Sequence, residues 1–261
     1  MLLERKTAVI YGAGGAIGSA VARAFAREGA RLFLAGRTLA TLDAVAKDIT
    51  QAGGAADIAQ VDALDRLSVE QHLSRVVEQT GSIDISFNAI ITSISQGTPL
   101  VEMALETFTV GITEAMQTQF LTTTAAARHM IPTRSGVILA ITATPAQLPI
   151  PNSGNFGIVG AATERLCRQL AAELGPQGIR VICLRSAGSP DAPGVAWAIN
   201  RLAEREGISP EAFEARLAQG SMLKRMPRLA EVAEMAVLMA SDRARAMTGA
   251  VANVTCGETL N

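Results

Sequence analysis

Short apolar runs recur along the chain, each followed by a longer stretch rich in Ala, Leu, Glu and Arg whose apolar positions fall at helical spacing. The runs predict strands at 7–11 "TAVIY", 31–35 "RLFLA", 56–61 "ADIAQV", 83–87 "IDISF", 136–141 "GVILAI", 179–184 "IRVICL" and 250–255 "AVANVT". Most of them lack strict alternation of apolar and polar residues, as strands covered on both faces do. The helical patterns fall near 16–28, 39–52, 67–79, 102–131, 155–175, 195–219 (in two pieces) and 229–241. Strand and helix alternating in this way predict an α/β fold: a three-layer, doubly wound parallel sheet, Rossmann-like, with right-handed crossovers and ligands at the carboxyl ends of the strands.

Composition supports one large core. The chain has 261 residues, 49% apolar and 18% charged, a size that a single α/β domain over 1–261 accommodates. A net charge of -1 with no basic block predicts no nucleic-acid partner. No apolar run approaches the roughly 18 to 20 residues that span a bilayer, and the start "MLLERKTAVIYG" resembles no leader. A cytoplasmic protein is therefore expected, with no membrane association. Cys167, Cys183 and Cys256 have no metal-ligand spacing and read as small core residues, so no metal is expected. The irregular stretch around Gly188, Pro190, Pro193 and Gly194 precedes two short helices, which suits a lid at 189–228.

The first strand runs into "YGAGGAIG", with glycines at 12, 14, 15 and 18. Glycines between a strand and a helix let backbone N–H groups approach a pyrophosphate, whose charge the helix dipole favours. Gly12, Gly15, Ala16, Ile17 and Gly18 are thus the candidate phosphate-binding turn. A strict G-x-G-x-x-G would need glycine at Ile17, so G-x-x-x-G-x-G with Ala16 in the middle slot fits better. The second strand ends in Gly36-Arg37, where an acidic residue would hold a ribose 2′-hydroxyl and an Arg accommodates a 2′-phosphate. That favours NADP(H) over NAD(H), against the alternative of a solvated Arg at a strand end. Asp62 closes the third strand, where it can meet an adenine amino group or cap the next turn.

With these pieces in order, the chain resembles the short-chain dehydrogenase/reductase family over nearly its whole length. "YGAGGAIG", "AGR", "VDALD", "FNAI" and "LAAELGPQGIRVICLRSAG" stand where the family has its motifs, as do "ETFTVGITEAMQTQFLTTTAAARHM" and the closing segment that ends in "VANVTCG". The resemblance adds Ala63, Asn88, Ala89 and Gly188 to the expected cofactor contacts. It also implies a small-molecule ligand and a homo-oligomer, dimer or tetramer, packed through the helices at 102–131 and 155–175.

The family's chemistry is hydride transfer between a nicotinamide ring and a carbonyl or alcohol. A Tyr moves the proton, a Lys lowers its pKa and holds the ribose, a Ser polarises the carbonyl and an Asn completes the relay. Carried over position by position, these fall on Phe156, Gly160, Ala143 and Ala115. No shift of register restores them. Tyr11 is the only tyrosine, and no lysine lies between 48 and 223. Phe156 keeps the bulk of a tyrosine ring without its hydroxyl, and Gly160 is expected to leave a gap where a lysine would lie. Further departures make the site less polar than the family pattern: Phe87 and Ile90 around Asn88-Ala89, Ala187 before Gly188, and Thr255-Cys256-Gly257.

Substitutes are few. Thr142 and Thr144 flank Ala143, but alternation along a strand points them away from its side. Glu164 lies one turn beyond Gly160, as a base or, more commonly for such a Glu, solvated or in a subunit contact. His129 reads as a partner for the C-terminal end of the long helix dipole, and His72 as equally bland. Asn152, Ser153 and Asn155 either cap the helix or line the pocket, while Arg185, Ser186, Asp191 and Trp197 are expected to face the cleft as ligand contacts. Two functions follow: a non-catalytic nucleotide binder or silent partner in an assembly, or an active NADP(H)-dependent reductase with a displaced proton donor.

Overall fold

The computed structural model describes residues 1–260. Seven strands form one parallel sheet in the order β3-β2-β1-β4-β5-β6-β7. They are β1 (Thr7–Tyr11), β2 (Arg31–Gly36), β3 (Ala55–Gln60), β4 (Ile85–Asn88), β5 (Gly136–Ala143), β6 (Ile179–Ser186) and β7 (Val251–Val254). The connecting helices are α1 (Ala16–Arg27), α2 (Leu39–Gln51), α3 (Arg66–Thr80), α4 (Leu105–Met130), α5 (Phe156–Leu174), α6 (Pro193–Glu206), α7 (Pro210–Ala218) and α8 (Leu229–Ala240). The expected elements are all present. β5 and β6 each run two residues further than their apolar runs, which carries Thr142, Ala143, Arg185 and Ser186 into the sheet.

Consecutive strand residues feed opposite layers, as a period of two requires. Ala8 and Ile10 of β1 join Phe25, Leu42, Ile49, Phe87, Leu139 and Val237 under α1, α2 and α8. Val9 and Tyr11 join Phe33, Leu73, Ala126, Ile138 and Leu170 under α3, α4 and α5. The central strands are apolar on both faces because both faces are covered. β3 is an edge and shows it: Ile58 is 38% exposed. Burying Phe25 or Phe87 fully contributes roughly 1.5–3 kcal/mol each, as an upper bound.

α6 and α7 pack on each other through Ile199, Ala203 and Phe213, a small cluster separate from the two layers under the sheet. They occupy the stretch expected to form a lid. Cys167 and Cys183 are buried as expected, whereas Cys256 is half-buried in the turn after β7 at φ 54°. Among the described residues no helix is long and apolar enough to cross a membrane, and no cluster of His, Cys, Asp and Glu has metal-binding geometry.

Candidate functional site

β1 is followed on one side by β2 and on the other by β4, so the chain's direction of winding reverses between β1 and β4. Loops leaving the carboxyl ends of these two strands diverge and open a crevice. A cavity of about 580 Å³ sits there. Gly12, Gly15, Ala16, Ile17, Arg37, Asp62, Ala63 and Ala89 all line it.

The turn after β1 is a backbone device. Gly12 has φ 73°, and an added Cβ would stand 2.9 Å from the Ala89 carbonyl oxygen. Gly15 is the N-cap of α1 and supplies no side-chain cap, so the first N–H groups of the helix stay open for an anion. Gly18 lies under the turn, where a Cβ would collide with the Gly12 carbonyl; it packs the helix on the turn and is not at the cavity wall. Arg37 is exposed at the rim, its carbonyl held by Gln60 Nε2 at 3.0 Å. Asp62 accepts from Leu64 N at 3.0 Å, while the N-cap of α3 is Asp65. The turn-capping alternative for Asp62 is thus realised, and the residue also lines the cavity.

Two more of the expected contacts lie off the wall. Asn88 is buried, donating to Thr122 Oγ1 at 3.0 Å and accepting from Ile90 N at 2.9 Å. It clamps β4 to α4. Gly188 is backed by Met226 and Val195.

A smaller cavity of about 110 Å³ adjoins the first, sharing the walls formed by Ile17, Ile90, Ile91, Thr92, Thr118 and Ile141. Ala115, Ala143, Phe156 and Gly160 meet here, brought from α4, β5 and α5. The expected gap at Gly160 is partly closed. A Cβ there would come within 2.8 Å of Ala146 Cβ, because the 3₁₀ turn Thr144–Ala146 has settled onto the helix.

Several expectations for nearby polar groups are corrected. Glu164 is neither solvated nor free: it is 4% exposed and forms a two-pronged ion pair with Arg185, Nε to Oε1 at 2.8 Å and Nη2 to Oε2 at 2.6 Å. Thr142 donates to Glu164 Oε1 at 3.0 Å and also lines the small cavity, despite strand alternation. Arg185 therefore does not face the nucleotide cavity. Its Nη1 bonds Gln147 Oε1 at 2.6 Å, and the pair borders a separate depression beside β7 with Arg168. Thr144 donates to Glu258, and Ser186 to the Ala187 carbonyl. Asp191 accepts from Leu229 N at the start of α8, and Trp197 is 62% exposed with the Arg201 guanidinium over its ring.

Asn155 stands at the N-cap of α5, where its carbonyl accepts from Val159 N, but its side chain neither caps the helix nor lines the pocket; fully buried, it accepts from Ser95 N and donates to the Thr107 and Phe108 carbonyls, tying the loop after β4 to α4. Asn152 takes a positive φ of 60°, and its carbonyl accepts from Gly97 N in the turn before α5. His129 lies in the last turn of α4, its pKa lowered by burial and by Arg128. His72 is buried beside Tyr11, and burial followed by the Arg75 charge lowers its pKa to about 4.

Sequence reasoning missed Glu114, Thr118 and Gln119, which reach the cavities from α4. The available signal was helical spacing from Ala115: 114 with 118, and 115 with 119, share a face. Glu114 Oε2 accepts from Ser93 N at 3.1 Å.

The family model described as enoyl-(acyl carrier protein) reductase matches residues 12–259. The chain belongs to the short-chain dehydrogenase/reductase family. It is similar to L-rhamnose 1-dehydrogenase (NAD(P)(+)) of Azotobacter vinelandii, at 30% identity over all of this chain and 99% of that one. The solved structure of NAD+-bound xylitol dehydrogenase superposes with a TM-score of 0.89 at 22% identity, covering 98% of this chain and 100% of the other. An actinorhodin polyketide ketoreductase variant with NADPH gives 0.87 at 24%, with 97% of each chain covered. At those identities the two structures establish the shared fold.

Proposed function

We propose that this member of the family binds NADP(H) and a small molecule but has lost the family's standard proton relay, so that it acts as a binder or assembly partner and not as a fast reductase. The open N-terminus of α1, the Gly12–Ala89 approach and Arg37 beside Gly36 support dinucleotide binding with a 2′-phosphate. When bound, the nicotinamide would supply hydride.

One observation carries the loss of the relay: the four positions that should hold Asn, Ser, Tyr and Lys are Ala115, Ala143, Phe156 and Gly160 around one cavity. None of them can move a proton. The lone tyrosine does not stand in, because the Tyr11 hydroxyl is wholly enclosed, without a partner, in the layer below. A positioned acid or base contributes about 10²- to 10⁴-fold, and a missing lysine weakens the hold on the ribose as well. Proximity alone leaves slow transfer.

The alternative, an active reductase with a displaced donor, is favoured by Glu114, which lines the larger cavity near Thr92 and Thr118. Titration of NADPH and NADH by fluorescence, followed by assay of a carbonyl panel, separates the readings. Binding of NADPH tighter than about 100 μM, or roughly 5.5 kcal/mol, with no turnover is expected. Clear turnover would overturn the binder, and absence of nucleotide binding would remove the Arg37 argument. The reading places the protein in the cytoplasm, where three unpaired cysteines stay reduced. It further includes a homo-oligomer formed through α4 and α5, which expose Val110, Phe120 and Ile158. Light scattering at working concentration checks this, a monomer being the refuting result.

A further inference from the structure

The wall of the small cavity is apolar except for Thr92, Thr118, Gln119, Thr142 and Thr163. The four threonine hydroxyl protons are already committed: to the Gly111 carbonyl, the Ala115 carbonyl, Glu164 Oε1 and the Val159 carbonyl. Gln119 differs from all of them. It is 94% buried by residue, only 6% of it being exposed. Its side-chain amide has no hydrogen-bond partner among the described residues, yet it is not among the enclosed orphan atoms, which are Tyr11 Oη and His72 Nε2. The amide therefore abuts open space, and the space its residue borders is the cavity.

An amide that meets open space and no protein group leaves both its N–H donor and its C=O acceptor free for a ligand. Both are satisfied at once by a group presenting the complementary pair side by side. A primary carboxamide or a lactam does this in one plane, with two hydrogen bonds. A carboxylate or an ammonium does not, because each carries a charge into a cavity walled by Ile17, Ile90, Ile94, Ile141, Phe156 and Val159. The space beside the amide, about 110 Å³, takes a body of five-membered-ring size, and the larger cavity adjoins it.

We infer that the cavity left by the missing catalytic side chains is a subsite for a small uncharged amide, read by Gln119. This rests on reading the two cavities as one ligand site. It concerns recognition only and involves no chemical step.

The test uses 2-pyrrolidone as probe, titrated into the full-length protein by ligand-observed NMR. Saturable binding is expected, at least tenfold tighter than for cyclopentanecarboxylate or cyclopentylamine. Gln119→Leu, which keeps the volume and removes the amide, should weaken it at least tenfold. Ala115→Leu, which grows a side chain into the cavity from α4, should do the same and serves if the first variant does not fold. No saturable binding, equal affinity for a charged analogue, or unchanged affinity in the folded variants would overturn the inference. Repetition with saturating NADPH identifies the source of the amide. Competition assigns it to the dinucleotide's own carboxamide, simultaneous binding to a separate ligand, and both support the subsite. If NADPH does not bind while 2-pyrrolidone does, the nucleotide reading fails and the subsite stands.

Discussion

The two ends of the crevice are built differently. At the β1–β2 end the wall is backbone: Gly12 in a left-handed conformation, Gly15 opening α1, and a rim carrying Arg37 and Asp62. At the α4–α5 end the wall is side chains, and the ones present are Ala115, Ala143, Phe156 and Gly160. Backbone geometry survives most substitutions, because it is over-determined by the packing of strand on helix. A proton path made of four side chains disappears with any one of them, since such groups act as a unit. The contrast teaches that a crevice walled by backbone can keep its shape while the side chains at its other end change.

The largest effect expected is on rate. Ala115→Asn, Ala143→Ser, Phe156→Tyr and Gly160→Lys, combined with Ala146→Gly to free the space over residue 160, should raise NADPH-dependent carbonyl reduction by about 10²- to 10⁴-fold. No gain in a folded variant that binds NADPH would show that the two ends differ in shape as well as in proton chemistry.

Next comes the ion pair behind the small cavity. Glu164→Ala leaves the Arg185 charge buried and should lower stability by about 3–5 kcal/mol, read from urea unfolding. Glu164→Leu with Arg185→Met should recover most of it. If the single variant is as stable as the parent, the pair does not hold the wall.

His72 predicts a pH effect below the β1 end. Its folded pKa, about 4, is below the ordinary 6.5, so the unfolded chain binds more protons between those values. Stability should therefore fall as pH drops from about 6.5 to 4, by up to roughly 3 kcal/mol from this group. His72→Leu should flatten that slope, and an unchanged pH profile would refute the assignment.

The smallest effect tests the rim. Arg37→Ala should weaken NADPH by about tenfold, near 1.4 kcal/mol, with little change for NADH. Equal losses for both would mean that Arg37 does not meet a 2′-phosphate.

Much of the architecture was legible in one dimension. Seven apolar runs and the helical patterns between them map onto the observed sheet and helices because period and burial are linked wherever both faces of a strand are covered. The cavity wall at Gly12, Gly15, Arg37 and Asp62 was equally legible, since it follows directly from what leaves the ends of three strands. Glu164 was not. On a helix a glutamate ordinarily faces solvent, and only the packing of α5 on β6 sets it against Arg185, 21 residues away. Asn155 and Gln119 were hidden for the same reason, their roles being fixed by a loop and a cavity assembled from distant segments.

By itself, the sequence determined the winding of the chain and the absence of a Tyr–Lys couple between residues 48 and 223, because periodicity and inventory do not depend on how the chain folds. Only the tertiary structure decided that Ala146 crowds Gly160, that Arg185 is held by Glu164, and that Gln119, its amide unpaired, borders the space that remains. Those outcomes belong to contacts between elements, and a contact has no address until the elements meet.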